Sequence, residues 1–213
     1  MNKKKSNTPK ANEDHKSFMQ RFRLKITPSD MEKIDYAYDM AKYGHRNQFR
    51  EGGDRYFEHV RATSIILIDE LGITDVEVII SALLHDMLED SFLLTPERIK
   101  ITFGERTAVL VSGVTKPKKG DQRFSSNAER HLFYNNQVKN SCIETKLIKV
   151  ADRLQNLRTL NACSLEKQKR KIQETKDVYF PLLVDIEKEY PEIAKYLLTQ
   201  MNIAIAKLGE IPV

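Results

Sequence analysis

The 213-residue chain has no tryptophan and only two cysteines. Two thiols cannot build the disulfide framework of a small secreted fold, so Cys142 and Cys163 are expected to stay reduced, as in a cytoplasm. Glycine and proline are scarce, at eight and seven, which argues against a turn-rich β-sandwich and for helices. No apolar run approaches the roughly 20 residues that span a bilayer. The basic start, Met1-Asn-Lys-Lys-Lys5, has no apolar stretch behind it and is not a signal peptide. Neither membrane insertion nor secretion is expected. A strong charge of one sign is also missing: 35 Lys and Arg face 30 Asp and Glu, a net +5. Three of those five charges arise in the first sixteen residues, from Lys3, Lys4, Lys5, Lys10 and Lys16 against Glu13 and Asp14. Those sixteen are almost devoid of apolar side chains, so residues 1–25 are expected to form a disordered basic tail and 26–213 a single domain. No nucleic-acid-binding pattern accompanies the tail, so nucleic acid is not an expected partner. Lys116–Lys119 and Lys167–Lys171 read as a solvated loop and a solvated helix face.

What the chain does have is helical periodicity, with no internal repeat and no period-two alternation. Thr27-Pro28-Ser29-Asp30 offers a cap, with Ser29 to Glu32 at capping-box spacing, for a helix over 30–43 that ends at Gly44. Further helices are expected over 56–71, from the capping box Thr74–Glu77 through Asp90, over 96–104, 105–114, 126–140, 144–160, 165–187 with a kink at Pro181, and 191–208. A flexible loop is expected over 116–125. The fold class expected is all-α.

At the end of the apolar helix that opens at Thr74 stands Leu84-His85-Asp86-Met87-Leu88-Glu89-Asp90. Ionisable groups in an oily helix must be paired, metal-bound or exposed, because an unpaired buried charge costs several kcal/mol. At helical spacing His85 stacks with Glu89, and Asp86 with Asp90. His59 and Asp152 stand in comparable settings, Asp152 interrupting the apolar side of its helix. Two imidazoles and two carboxylates form a mixed nitrogen and oxygen set, better suited to Mn²⁺ or Fe²⁺ than to a thiolate-rich zinc site.

Several segments together resemble the RelA/SpoT-type hydrolase domain of the HD superfamily. They are His45-Arg-Asn-Gln48-Phe-Arg50 with Gly53 and Tyr56-Phe-Glu-His59, Ala82-Leu-Leu-His-Asp-Met-Leu-Glu-Asp90, Phe103-Gly104, Val111-Ser-Gly-Val-Thr-Lys116, and Val150-Ala-Asp-Arg-Leu-Gln-Asn-Leu-Arg-Thr-Leu160. The likeness spans about residues 45–160 and continues more loosely through Tyr179-Phe-Pro-Leu-Leu183. It implies an HD-type bundle of nine to ten helices, without the synthetase domain that often accompanies it. It implies Mn²⁺-dependent removal of the 3′-pyrophosphate from guanosine tetra- or pentaphosphate, giving GDP or GTP. By the same resemblance His59, His85, Asp86 and Asp152 hold one ion, and Glu89 and Asp90 position or activate water. Arg50, Tyr56, Asn156 and Arg158 then contact the nucleotide. His45 is expected to be a structural neighbour of the site; His15 and His131 have no role in it.

Five positions depart from that pattern. Glu51 replaces a basic residue, Gly52 a Ser, Arg55 and Val60 prolines, and Gln155 a His. None is a proposed ligand, but Glu51 would repel a polyphosphate if turned inward, and Arg55 offers a nearby replacement charge. The alternatives are therefore an HD phosphohydrolase of other specificity, for an adenine alarmone or NADPH, or a non-catalytic nucleotide-binding protein. A homo-oligomer is compatible with all of these.

Overall fold

Side-chain caps set half of the helix starts. A computed structural model describes residues 13–23, 25–90 and 94–209, with Asp90 described in its backbone alone. Thr27 accepts from the Asp30 N–H and opens α2 (Pro28–Gly44), so Thr27 rather than Ser29 carries the cap. After α3 (Tyr56–Ile65), Asp75 rather than Thr74 caps α4 (Val76–Leu84), accepting from the N–H groups of Glu77 and Val78. Thr95 caps α6 (Pro96–Phe103), and α7 (Glu105–Val114) follows directly. Ser126 caps α8 (Asn127–Lys139), while Glu129 reaches back to the Ser125 N–H at 2.7 Å. Then come α9 (Ile143–Arg158) and a short 3₁₀ turn over Leu160–Ala162. The C-terminal elements are α10 (Leu165–Glu174), α11 (Phe180–Glu187) and α12 (Pro191–Gly209). Among the described residues these helices are joined by loops holding one isolated β-bridge, Phe49 to Arg55. The all-α expectation holds.

Three differences account for there being more helices than expected. First, α1 (His15–Gln20) forms inside the expected tail, capped by Asp14, and Phe18 and Phe22 are buried at 0% and 3% exposure. Packing therefore begins well before residue 25; residues 1–12 lie outside the described residues. Second, the helix expected to run through Asp90 stops at Leu84 and restarts as α5 (Met87–Asp90). Third, the Pro181 kink takes the form of a wide π turn, Thr175–Tyr179, between α10 and α11. Proline gives no N–H to the carbonyl four residues back and crowds it, and the wide turn accommodates both.

Two apolar clusters meet around α4 and α9. One joins α1, α2, α3, α4 and α6 through Phe18, Ile34, Tyr38, Ile79, Leu83 and Ile99. The other joins α9 to α11 and α12 through Leu147, Ile148, Leu154, Leu183, Leu197 and Met201. Each fully buried Leu or Ile contributes about 1.5–3 kcal/mol. That packing fixes α3, α4 and α9 against one another. Polar groups on their facing sides are thus held in place by the surrounding apolar core.

Candidate functional site

The break after Leu84 is where the site begins. Neighbouring residues in a continuous α-helix diverge by about 100°. By leaving the helix, His85 and Asp86 bring Nε2 and Oδ2 to 3.1 Å. This replaces the i to i+4 stacking expected from a single helix. His59, from the second turn of α3, places Nε2 3.2 Å from Asp152 Oδ1 and 3.8 Å from Asp86 Oδ2. His85 Nε2 is 3.8 Å from Asp152 Oδ1. Donor atoms of His59, His85 and Asp152 all lie within 4.8 Å of one another.

Hydrogen bonds on the outer sides orient this quartet. His85 Nδ1 donates to the Ala82 carbonyl at 2.8 Å, which leaves Nε2 to face the carboxylates. That buried Nε2 has no aligned hydrogen-bond partner among the described residues. An orphaned imidazole nitrogen facing two carboxylates and a second imidazole suits a shared cation. Ligand atoms about 2.1 Å from one cation stand about 3.0–3.4 Å apart, so the 3.1 and 3.2 Å edges already fit and the two 3.8 Å edges need a small contraction. The Tyr56 hydroxyl donates to Asp86 Oδ2 at 2.6 Å, and Lys149 Nζ to Asp152 Oδ2 at 2.8 Å. Burial opposes ionisation of Asp152, but Lys149 and the two facing imidazoles outweigh it and hold its carboxyl well below the usual range. Lys149 is held charged by Asp152 in the same way, against its own burial.

Arg50 reaches this floor from a tight hairpin. The Gly53 N–H donates to the Arg50 carbonyl, and the Arg50 N–H to the Asp54 carbonyl, both at 2.9 Å. Gly53 takes φ +87°, a conformation side chains disfavour. A Cβ on Gly52 would stand 3.3 Å from Ala162 Cβ, which fits the absence of the usual Ser there. The Arg50 guanidinium donates to Gln155 Oε1 at 2.8 Å, Asn156 Oδ1 at 2.5 Å and Thr159 Oγ1 at 3.3 Å. Together these groups floor a cavity of about 230 Å³. Its walls carry Lys116, Lys167, Lys171 and Arg153, and Glu89 also lines it.

The HD domain family model matches residues 37–184. That is more than half of the chain, and it takes in every element of the site. The chain belongs to the HD domain family.

Relatives of this HD domain are informative about its chemistry. A guanosine-3′,5′-bis(diphosphate) 3′-pyrophosphohydrolase of Aquifex aeolicus (strain VF5) is 41% identical over 157 residues, 73% of this chain and 22% of that protein. A GTP pyrophosphokinase of Streptomyces coelicolor is 38% identical over 159 residues, 74% of this chain and 18% of that protein. The chain thus spans about a fifth of the length of these curated relatives. A solved structure of a metazoan ortholog of SpoT, described as hydrolysing ppGpp and acting in starvation responses, superimposes with a TM-score of 0.58 at 27% identity. That likeness covers 83% of this chain and 93% of the other.

Within the HD domain, His59, His85, Asp86, Asp152, Glu89, Arg50, Tyr56 and Asn156 converge on one place. Arg158 does not join them. It lies six residues beyond Asp152, about 120° around α9, and forms a two-pronged pair with Glu70 at 2.6 and 2.8 Å. The Asp90 side chain lies outside the described residues. Arg55 stands exposed before α3 and does not line the cavity. Glu51 turns toward Lys167 and pairs with it. His45 takes the structural place expected, bonding Gln48 and packing its ring on Tyr56 at 4.9 Å.

The basic wall is hidden in the sequence because charge runs read as solvated surface. Lys116 is half-buried, 2.8 Å from His131 Nε2, and both line the cavity. Burial, with Arg130 and Lys171 nearby, pushes the Lys116 ammonium down to about 8. Lys167 and Lys171 project from α10, on the cavity side of what reads as a uniformly polar stretch. The polarity of these segments was visible; which side faces inward depends on the α9–α10 packing.

Proposed function

We propose that this HD domain is a metal-dependent 3′-pyrophosphohydrolase of guanosine tetra- or pentaphosphate. The observation that carries the reading is the His59, His85, Asp86 and Asp152 quartet at the floor of a cation-walled cavity. Those four would hold one divalent ion, for which we propose Mn²⁺. Bound there, it would supply an acidified water and positive charge for the departing ester oxygen. The names of the Aquifex relative and of the metazoan structure support the substrate.

The side chains divide the remaining work. Glu89, half-buried at the cavity edge, takes the proton from the attacking water, and Asp90 is proposed to assist it. Water adds to the phosphorus on the ribose 3′-oxygen; that P–O bond breaks, the oxygen gains a proton, and pyrophosphate departs. Arg50, Lys116, Lys167 and Lys171 compensate the polyphosphate charge. Tyr56 and Asn156 hold the ligand carboxylates in register through their bonds to Asp86 and Asp152. Two free thiols, Cys142 and Cys163, suit the cytoplasm in which such a nucleotide would be met.

Purified protein with Mn²⁺ and guanosine tetraphosphate is expected to release pyrophosphate and GDP. The reading fails if neither forms. One observation favours a second specificity: Glu51 places a carboxylate near the cavity where relatives of the resembled family carry a cation. Pyrophosphate or phosphate release from an adenine alarmone or NADPH, with none from the guanosine nucleotides, would move the substrate while keeping the site.

A further inference from the structure

We propose that Gln155 is a positioning residue that ties the cation site to Arg50. The inference rests on the hydrolase reading above, but on its metal quartet rather than on its nucleotide.

Gln155 is buried, and its Oε1 meets two donors: Arg50 Nη1 at 2.8 Å and His59 Nδ1 at 2.5 Å. A guanidinium only donates, so the amide atom facing it is the oxygen. That same oxygen can only accept from His59, which places the His59 proton on Nδ1. The Nε2 lone pair is thereby aimed at Asp152 Oδ1 and Asp86 Oδ2. One oxygen thus fixes the tautomer of a ligand and the place of the phosphate-facing arginine.

Asn156 repeats the arrangement on the other side. Its Oδ1 accepts from Arg50 Nη2, so its Nδ2 donates to Asp152 Oδ1, at 2.6 Å. A single guanidinium is therefore connected through two adjacent amides to a ligand on α3 and a ligand on α9. Hydrogen bonds to the outer nitrogen of a ligand histidine typically change metal affinity by about 10- to 100-fold. Because Arg50 shares that oxygen, changes at position 155 act on cation binding and on polyphosphate binding together, in a pattern set by which donor is still served.

The test uses three proteins: the parent chain, Gln155→Leu and Gln155→Glu. Mn²⁺ is titrated calorimetrically into each without nucleotide, and steady-state kinetics on guanosine tetraphosphate are measured separately. Gln155→Leu removes the acceptor, and its Mn²⁺ Kd is expected to rise about tenfold or more. Gln155→Glu keeps an acceptor for His59, so its Kd stays near the parent value or tightens. The introduced carboxylate grips Arg50 more strongly, raising KM with a much smaller change in kcat. Packing alone would not produce that split. A Kd for Gln155→Leu within twofold of the parent overturns the proposal, as does equal weakening in both variants. A parent chain that binds Mn²⁺ but spares the nucleotide would fail the substrate reading, and the Kd comparison would still decide this one. A parent chain that binds no Mn²⁺ overturns both.

Discussion

Helix α9 carries two polar clusters on different faces, and they are built in opposite ways. Arg158 meets both oxygens of Glu70, whose side chain is 4% exposed; Tyr196 donates to Glu70 at 2.8 Å and Arg158 to Gln200 at 3.2 Å. Both Glu70 oxygens and both terminal nitrogens of Arg158 have partners there, and the cluster joins α9 to α12 and the turn after α3. On the cavity face, by contrast, His85 Nε2 is buried with no aligned bond; His59, His85 and Asp152 offer atoms within 4.8 Å of one another, and Asp86 Oδ2 lies 3.1 Å from His85 Nε2. A closed network holds helices together. An open one, kept in place by outer hydrogen bonds, is arranged for something that is not part of the chain. Both are polar clusters on one helix; the difference lies in unspent hydrogen-bonding capacity.

That contrast breaks most sharply at the ligands. Asp86→Asn keeps shape and removes charge; Mn²⁺ binding is expected to fall by more than about 100-fold, beyond the loss from an outer partner. Calorimetry and pyrophosphate release should fall together, while the melting temperature of the metal-free protein changes little. Retained Mn²⁺ affinity would remove Asp86 from the site. Glu89→Gln is expected to lower kcat by about 100-fold or more with Mn²⁺ affinity unchanged, as for a proton acceptor that is not a ligand.

The closed face should respond in the opposite currency. Arg158→Ala leaves Glu70 buried without its cation, a change expected to cost about 3 kcal/mol. For a domain of this size that lowers the melting temperature by roughly 6–12 °C, with KM for the nucleotide unchanged. A raised KM with an unchanged melting temperature would return Arg158 to the nucleotide and dissolve the distinction between the two faces.

Much of the cavity face was legible because chemistry-bearing residues interrupt apolar periodicity: Asp152 among Ile148, Ala151 and Leu154, and His85-Asp86 after Leu83-Leu84. Helix starts were legible too, through Thr27, Thr95 and Ser126. Arg158 was misplaced because a motif conveys order along the chain, whereas the face of α9 it occupies follows from helical phase. The halt after Leu84 is invisible in the sequence because Met87 and Leu88 continue an acceptable helical pattern; the approach of His85 and Asp86 to one point is a tertiary effect. Residues 13–23 read as part of a 1–25 tail because Phe18 and Phe22 are sparse apolar signals, and only their burial shows that they pack.

A milder probe of the open face is Lys116. Its ammonium faces Arg130, Lys171, His131, Glu89 and Glu174, and titrates near 8. Above that pH it is neutral and contributes nothing to anion binding, so KM is expected to rise several-fold between pH 7 and 9. Lys116→Gln should flatten that rise. The stability sign is opposite: the unfolded chain holds this proton more tightly, so the contribution of Lys116 to stability grows as pH increases from about 8 toward the unfolded value. An unaltered KM profile in Lys116→Gln would take Lys116 out of the substrate wall.

The smallest effect is expected at the cavity rim, where Glu51 and Lys167 pair with side chains 54% and 33% exposed. An exposed pair of this kind contributes little, because water screens it and two long side chains must be ordered. Glu51→Ala should therefore leave the melting temperature almost unchanged. It also releases the Lys167 ammonium and removes a like charge from the approach of a polyphosphate. KM is expected to fall, by no more than about threefold, since single exposed charges are strongly screened by water. A rise in KM would mean that Glu51 itself contacts the substrate. A carboxylate serving substrate at that position would count against a purely cationic rim, and would favour a nucleotide other than the guanosine polyphosphates.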